Sequence, residues 1–185
     1  THALDLRLKM IHESSYWKSD LLKLASTLER RITQTRWGDK NFFVIEKEIF
    51  LGFYTIRKLI ESKKISDSVI KRKYKLKEFP YSGDPESLFT HMRDNEYNLT
   101  SGETVYLTTI EFCNQFIHSH HFLPFLPDGK HLIGFFFCSD RKRTSGIYLI
   151  TIFEVVDIYR LVGSNYPTTM HRERLPNGKS IISIE

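Results

Sequence analysis

Four polar residues, Glu111, Asn114, His118 and His121, follow one another at spacings of three, four and three. On a helix that spacing stacks them along one face. Such a stripe offers acid–base chemistry, because imidazole titrates near neutrality and a carboxamide can orient a phosphate or a ring nitrogen. The rest of the segment carries Ile110, Phe112, Cys113, Phe116 and Ile117. A helix so apolar elsewhere is expected to be buried on most sides, with its polar stripe lining a cavity or meeting partners. The plain alternative is a solvated or internally hydrogen-bonded helix edge.

The stripe narrows on closer reading. Thr108-Thr109-Ile110-Glu111 fits a capping box, in which the Thr hydroxyl and the Glu carboxylate satisfy each other's orphan backbone donors. Glu111 is therefore expected at the cap, and the candidate catalytic residues are His118 and Asn114 with His121 assisting. Neither His-Glu-x-x-His nor paired Cys-x-x-Cys occurs around His118, His120, His121 and His131, so no metal site and no cofactor are expected. Cys113 and His118 lie five residues apart, about 140° around a helix, and diverge. Cys113 reads as core.

Two basic clusters could meet a phosphate backbone without reading its sequence: Arg141, Lys142 and Arg143 in one, and Lys71, Arg72 and Lys73, continued by Lys75 and Lys77, in the other. Their bland reading is a solvated turn and a solvated face. Charges at the turn would also discourage edge pairing.

These residues need elements to hold them. Trp17, Leu21, Leu24, Leu28 and Ile32 keep a helical period, which predicts a helix from about residue 6 to 34. Trp37-Gly38-Asp39 breaks it, with Asp39 as the expected N-cap of a second helix carrying Ile45, Ile49, Phe53, Ile56 and Ile60. Two long helices joined by so short a break should pack antiparallel. Ser66 can cap a further turn, and Lys71 to Phe79 allows an extended reading. Asp84 and Pro85 mark a short helix to about Arg93. The stripe helix is expected over 108–121, with Pro124 and Pro127 closing the connection that follows.

Residues 132–138 and 147–151 are apolar runs around a polar tip, the pattern of a buried β-hairpin with a cationic turn. A second capping box, Thr151 to Glu154, opens a helix to about residue 162 with Val155, Tyr159 and Val162 on one face and Gly163 as its stop. Asn177-Gly178 suits the turn of a terminal two-stranded ribbon. The fold expected is α+β in one domain over 1–185: a helical hairpin in 1–65, short helices and loops in 66–130, and β-hairpins with one helix in 131–185.

Composition agrees. A chain of 185 residues can bury a real core, and its 41% hydrophobic and 14% aromatic shares lie far from the disordered regime. Two cysteines, Cys113 and Cys138, each in an apolar run, imply no disulfide framework. No segment has the roughly 20 apolar residues of a membrane span and no signal-peptide pattern opens the chain, so a cytoplasmic location is expected. The net charge of +5 favours anionic partners.

The run Cys113-Asn114-Gln115-Phe116-Ile117-His118 resembles the signature of the HEPN superfamily (higher eukaryotes and prokaryotes nucleotide-binding domains), usually Arg-Asn, three residues and His. The resemblance covers about the first two-thirds of the chain. It implies a helical, commonly dimeric protein related to metal-independent ribonucleases of prokaryotic defence and toxin systems, or to their inactive partners. By that resemblance Asn114 and His118 act on a scissile phosphate. Cys113 occupies the Arg position and brings no guanidinium. The resemblance therefore implies a nucleic-acid-associated accessory protein, inactive or altered as a ribonuclease, that binds RNA or another nucleic acid and forms a homodimer or joins a partner protein. A protein-interaction subunit without chemistry, docking through its apolar hairpin, is the competing expectation.

Overall fold

The computed structural model describes residues 11–83, 96–174 and 180–185. Helix α1 (Ser14–Arg31) starts where the Glu13 carboxylate accepts the Ser15 N–H at 2.8 Å, and it buries Leu21, Ala25 and Leu28. Its expected beginning near residue 6 lies outside the described residues. Helix α2 (Asp39–Glu61) buries Ile45, Ile49, Phe53 and Ile56, as their period requires. Gly38, not Asp39, is its N-cap: Asn41 Oδ1 accepts the Gly38 N–H at 3.1 Å, and Asp39 is already helical.

The two long helices touch, but α1 packs more extensively on α5 (Ile152–Gly163) than on α2. Close approach explains this. A Cβ at Gly163 would lie 2.8 Å from the Leu22 side chain and 3.0 Å from Lys18 O, so the absent side chain lets α5 press against α1. Gly163 thus acts through packing rather than as a left-handed stop. On the other side, the Tyr159 ring fills the space left at Gly52, and its hydroxyl donates to Ile49 O at 2.8 Å.

Helix α3 (Asp67–Lys71) follows Ser66, and the chain then enters a five-stranded antiparallel sheet. Its strands are β1 (Lys73–Pro80), β2 (Glu103–Thr108), β3 (Ser119–Phe125), β4 (Gly134–Ser139) and β5 (Gly146–Thr151), in the spatial order β2-β1-β5-β4-β3. The expected hairpin is its centre, with Phe136 opposite Leu149 and Phe137 opposite Tyr148. Every residue of β4 is buried. The expectation of short helices and loops over 66–130 is corrected, because that stretch supplies three of the five strands. Since β4 and β5 lie inside the sheet, the apolar hairpin is not a docking surface.

Helix α4 (Thr109–Ile117) lies between α2 and the sheet. Phe116 joins the layers, stacking on Phe53 at 4.1 Å and on Phe137 at 4.5 Å between ring centroids. Both capping boxes form as expected: Thr108 Oγ1 donates to Glu111 Oε2 at 2.7 Å, and Thr151 Oγ1 to Glu154 Oε2 at 2.6 Å. The last pair of strands, β6 (Met170–Arg174) and β7 (Ser180–Ile184), makes the expected ribbon. Its Asn177-Gly178 turn and the expected helix from Asp84 fall outside the described residues.

Candidate functional site

Helix α4 ends four residues before the stripe requires. His118 is its C-cap, at φ −107° and ψ 28°, and Ser119 onward pairs with β4. Ladder hydrogen bonds and the burial of Phe122 outweigh another helical turn. The four-residue stripe is therefore corrected: Glu111 is the cap partner, Asn114 and His118 stay together at the exposed edge of α4, and His121 is carried onto β3.

Two bonds staple the end of α4 to the β4–β5 turn. Asp140 N–H donates to His118 O at 2.9 Å, and Ser139 N–H donates to Gln115 Oε1 at 2.9 Å. They bring the cationic turn against the helix edge. The result is an open cleft of about 560 Å³ lined by Asn114, Gln115, His118, Asp140, Arg141 and Lys142. The two leads from the sequence, the Asn–His pair and the basic tip, thus meet in one place.

A residue from α2 completes the site. Arg57 Nη1 donates to Asn114 Oδ1 at 2.6 Å while its Nε pairs with Glu61 Oε1 at 2.7 Å. Lys58 Nζ holds the other Glu61 oxygen at 3.0 Å, and these two cations keep the Glu61 carboxyl below its usual range. With Oδ1 engaged, it is the Nδ2 donors of Asn114 that are left for a further acceptor. Arg57 was not among the sequence candidates. It stands 57 residues before Asn114 on another helix, and no local spacing could link them.

The basic tip divides. Arg141 is exposed and has no acidic partner among the described residues, so its guanidinium is open to an anion. Lys142 lines the cleft but is ion-paired to Glu78, with its ammonium 5.2 Å from the Tyr148 ring centroid. Arg143 turns to the other side of the turn, 3.5 Å from Asp140 and 3.4 Å from His120 Nε2. Of the charged residues that line the cleft, Arg141 and Lys142 are basic and Asp140 is acidic, and Lys142 is already paired with Glu78.

His121 belongs to a closed cluster. It is buried, its ring edge-on to Tyr97 at 6.0 Å, with His120 and Arg143 beside it. Burial first, then the charges of His120 and Arg143, lower its pKa, so it is neutral at pH 7. It does not assist Asn114 and His118. Lys71, Arg72 and Lys73 are also remote from the cleft: Lys71 ends α3, Arg72 lies over the Tyr74 ring at 5.6 Å, and Lys73 begins an exposed lysine row with Lys75 and Lys77 on the outer sheet face.

Cys113 is fully buried, and burial pushes its thiol up to about 12. It is protonated core, as expected, and carries no nucleophilic role. Among the described residues no cluster of three metal-ligating side chains occurs, and no helix is long and apolar enough to cross a membrane.

Comparison with known proteins adds no relative: no family model, no curated protein and no solved structure matches this chain.

Proposed function

We propose that this protein is an RNA-associated accessory protein, HEPN-like in its helical part, whose α4 cleft receives a phosphate of a single strand. The observation that carries the reading is the open cleft lined by Asn114, His118 and Arg141, with Arg57 bonded to the same Asn114 from α2. In the family pattern a guanidinium precedes Asn. Cys113 cannot supply it, and Arg57 brings one to the same Asn from α2.

In this reading Arg57 and Arg141 provide charge, Asn114 Nδ2 donates to a non-bridging phosphate oxygen, and His118 handles the proton. His118 accepts the proton of a ribose 2′-hydroxyl as that oxygen bonds to phosphorus. It returns the proton to the 5′-oxygen as the phosphorus–oxygen bond breaks, leaving a cyclic phosphate and a 5′-hydroxyl. No metal enters the step. Because Arg57 is shared with Glu61, its charge on the phosphate is diluted, and the protein is an altered, slow member rather than an efficient ribonuclease. The setting implied by the resemblance is a prokaryotic defence or toxin system, with a homodimer or a partner protein.

Incubation of single-stranded RNA with the full chain in EDTA tests the reading. Expected are slow cleavage to cyclic-phosphate ends, its loss in His118→Ala, and RNA binding weakened by Arg141→Gln. Cleavage that survives His118→Ala, or no RNA binding at all, would refute it. A second reading, a non-catalytic protein-interaction subunit, draws on a different surface: a groove of about 440 Å³ along α1 and α2 that includes Tyr16, Trp17, Leu24 and Leu51. A stable heteromeric complex without RNA binding would favour it.

A further inference from the structure

Lys18 interrupts the buried stripe of α1. It falls in period with Leu21, Ala25 and Leu28, where an apolar residue is expected, and it is 1% exposed. Its ammonium donates to Asn165 O and lies 4.1 Å from the Tyr166 ring centroid. Those partners are dipoles, not charges. Among the described residues no carboxylate forms an ion pair with it. An ammonium buried among dipoles alone is costly to desolvate, and an anion beside it would offset that cost.

Lys18 lines a cavity of about 230 Å³ together with Lys63, Lys64, Thr168 and Thr169. Lys63 has φ 58°, the left-handed region that ordinarily selects Gly, and thereby ends α2 with Lys64 N–H donating to Leu59 O at 2.9 Å. Two successive lysines are placed on the cavity in this way. The opposite wall is fixed by Asn165, whose Oδ1 accepts the Ser66 N–H at 2.8 Å and whose Nδ2 donates to Ser66 Oγ at 2.9 Å. The nearby carboxylate, Glu13, already caps α1 through the Ser15 N–H. Burial first, then the charge of Lys64, pulls the Lys18 ammonium below its usual range, with the Glu13 carboxylate opposing.

We propose that this cavity, between the start of α1, the α2–α3 turn and residues 166–169, binds the dianion of a phosphate group. Three lysines match a doubly charged tetrahedral anion, and the cavity exceeds several times the ~30 Å³ share of one liquid water. The phosphate can be free or the 5′ end of an RNA strand. The site shares no residue with the α4 cleft, so neither reading depends on the other.

Calorimetric titration of the full chain with inorganic phosphate, at constant ionic strength, tests the proposal. Saturable binding is expected, weakened at least tenfold in Lys64→Ala and abolished in Lys18→Met. Lys18→Met should melt no lower than wild type without phosphate, since an apolar replacement relieves a buried charge. If it does not fold, Lys64→Ala and Lys63→Gly at the cavity rim decide. His118→Ala should bind phosphate like wild type. Tighter binding of a 5′-phosphorylated than of a 5′-hydroxyl oligoribonucleotide, lost in Lys64→Ala, assigns the site to an RNA end, and equal binding of the two assigns it to free phosphate. No saturable heat with wild type, or heat unchanged in Lys64→Ala and Lys18→Met, would overturn the site.

Discussion

The β4–β5 turn has two sides made of the same kinds of residue, and they behave oppositely. On one side Arg141 and Lys142 face Asn114 and His118 across an open cleft. On the other, Arg143 meets His120, His121 and Tyr97, with the Tyr97 hydroxyl donating to Arg143 O at 2.9 Å and lying 3.8 Å from Cys138 Sγ. Burial raises the Tyr97 hydroxyl and Cys138 thiol and lowers His121. The residue types are alike on the two sides; their access to water differs.

Breaking the packed side should cost most. Phe116→Ala removes the ring that stacks on both Phe53 and Phe137, and denaturant unfolding should show a loss of about 3–5 kcal/mol. His118→Ala, two residues further at the exposed edge, should stay within about 0.5 kcal/mol of wild type. Tyr97→Phe leaves the Arg143 carbonyl without its hydroxyl donor, and the same measurement should register about 1–3 kcal/mol.

A smaller effect separates the two sides by pH. His121 is neutral in the fold below the pH at which the unfolded chain takes up its proton, near 6.5. The unfolded state then binds more protons, so stability falls as pH drops from about 6.5 toward the lowered folded value. Melting temperatures at pH 7.5 and 5 should diverge in wild type and less so in His121→Phe. Smallest in stability is Arg141→Gln, which replaces a side chain with no hydrogen-bond or acidic partner among the described residues. Its effect should appear in RNA binding, where the slope of log affinity against log salt shrinks by about 1, uniformly across sequences.

Much of the fold was legible because its signals are local. Two capping boxes, the periods of α1 and α2, and the apolar run of β4 each depend on neighbours in sequence. The strands β2 and β3 were not legible. Pro124 in an edge strand looks like a breaker, yet it needs no donor there, pairing with Phe135 on one side only. The same event hid the fate of His121: nothing in the sequence says that α4 stops at Ile117, since the competing β3–β4 ladder is formed with residues that follow. For the site, Asn114, His118 and the basic tip were visible as separate clusters. Their convergence with Arg57 is tertiary and had no sequence signal.

An RNA phosphate in the α4 cleft, as proposed, would touch His118. Imidazole NMR of the full chain during titration with a short single-stranded oligoribonucleotide reads this directly. The His118 ring resonances should shift saturably while those of buried His121 stay in place, and Arg57→Gln should weaken the response. Unmoved His118 resonances at saturating RNA would contradict the proposal.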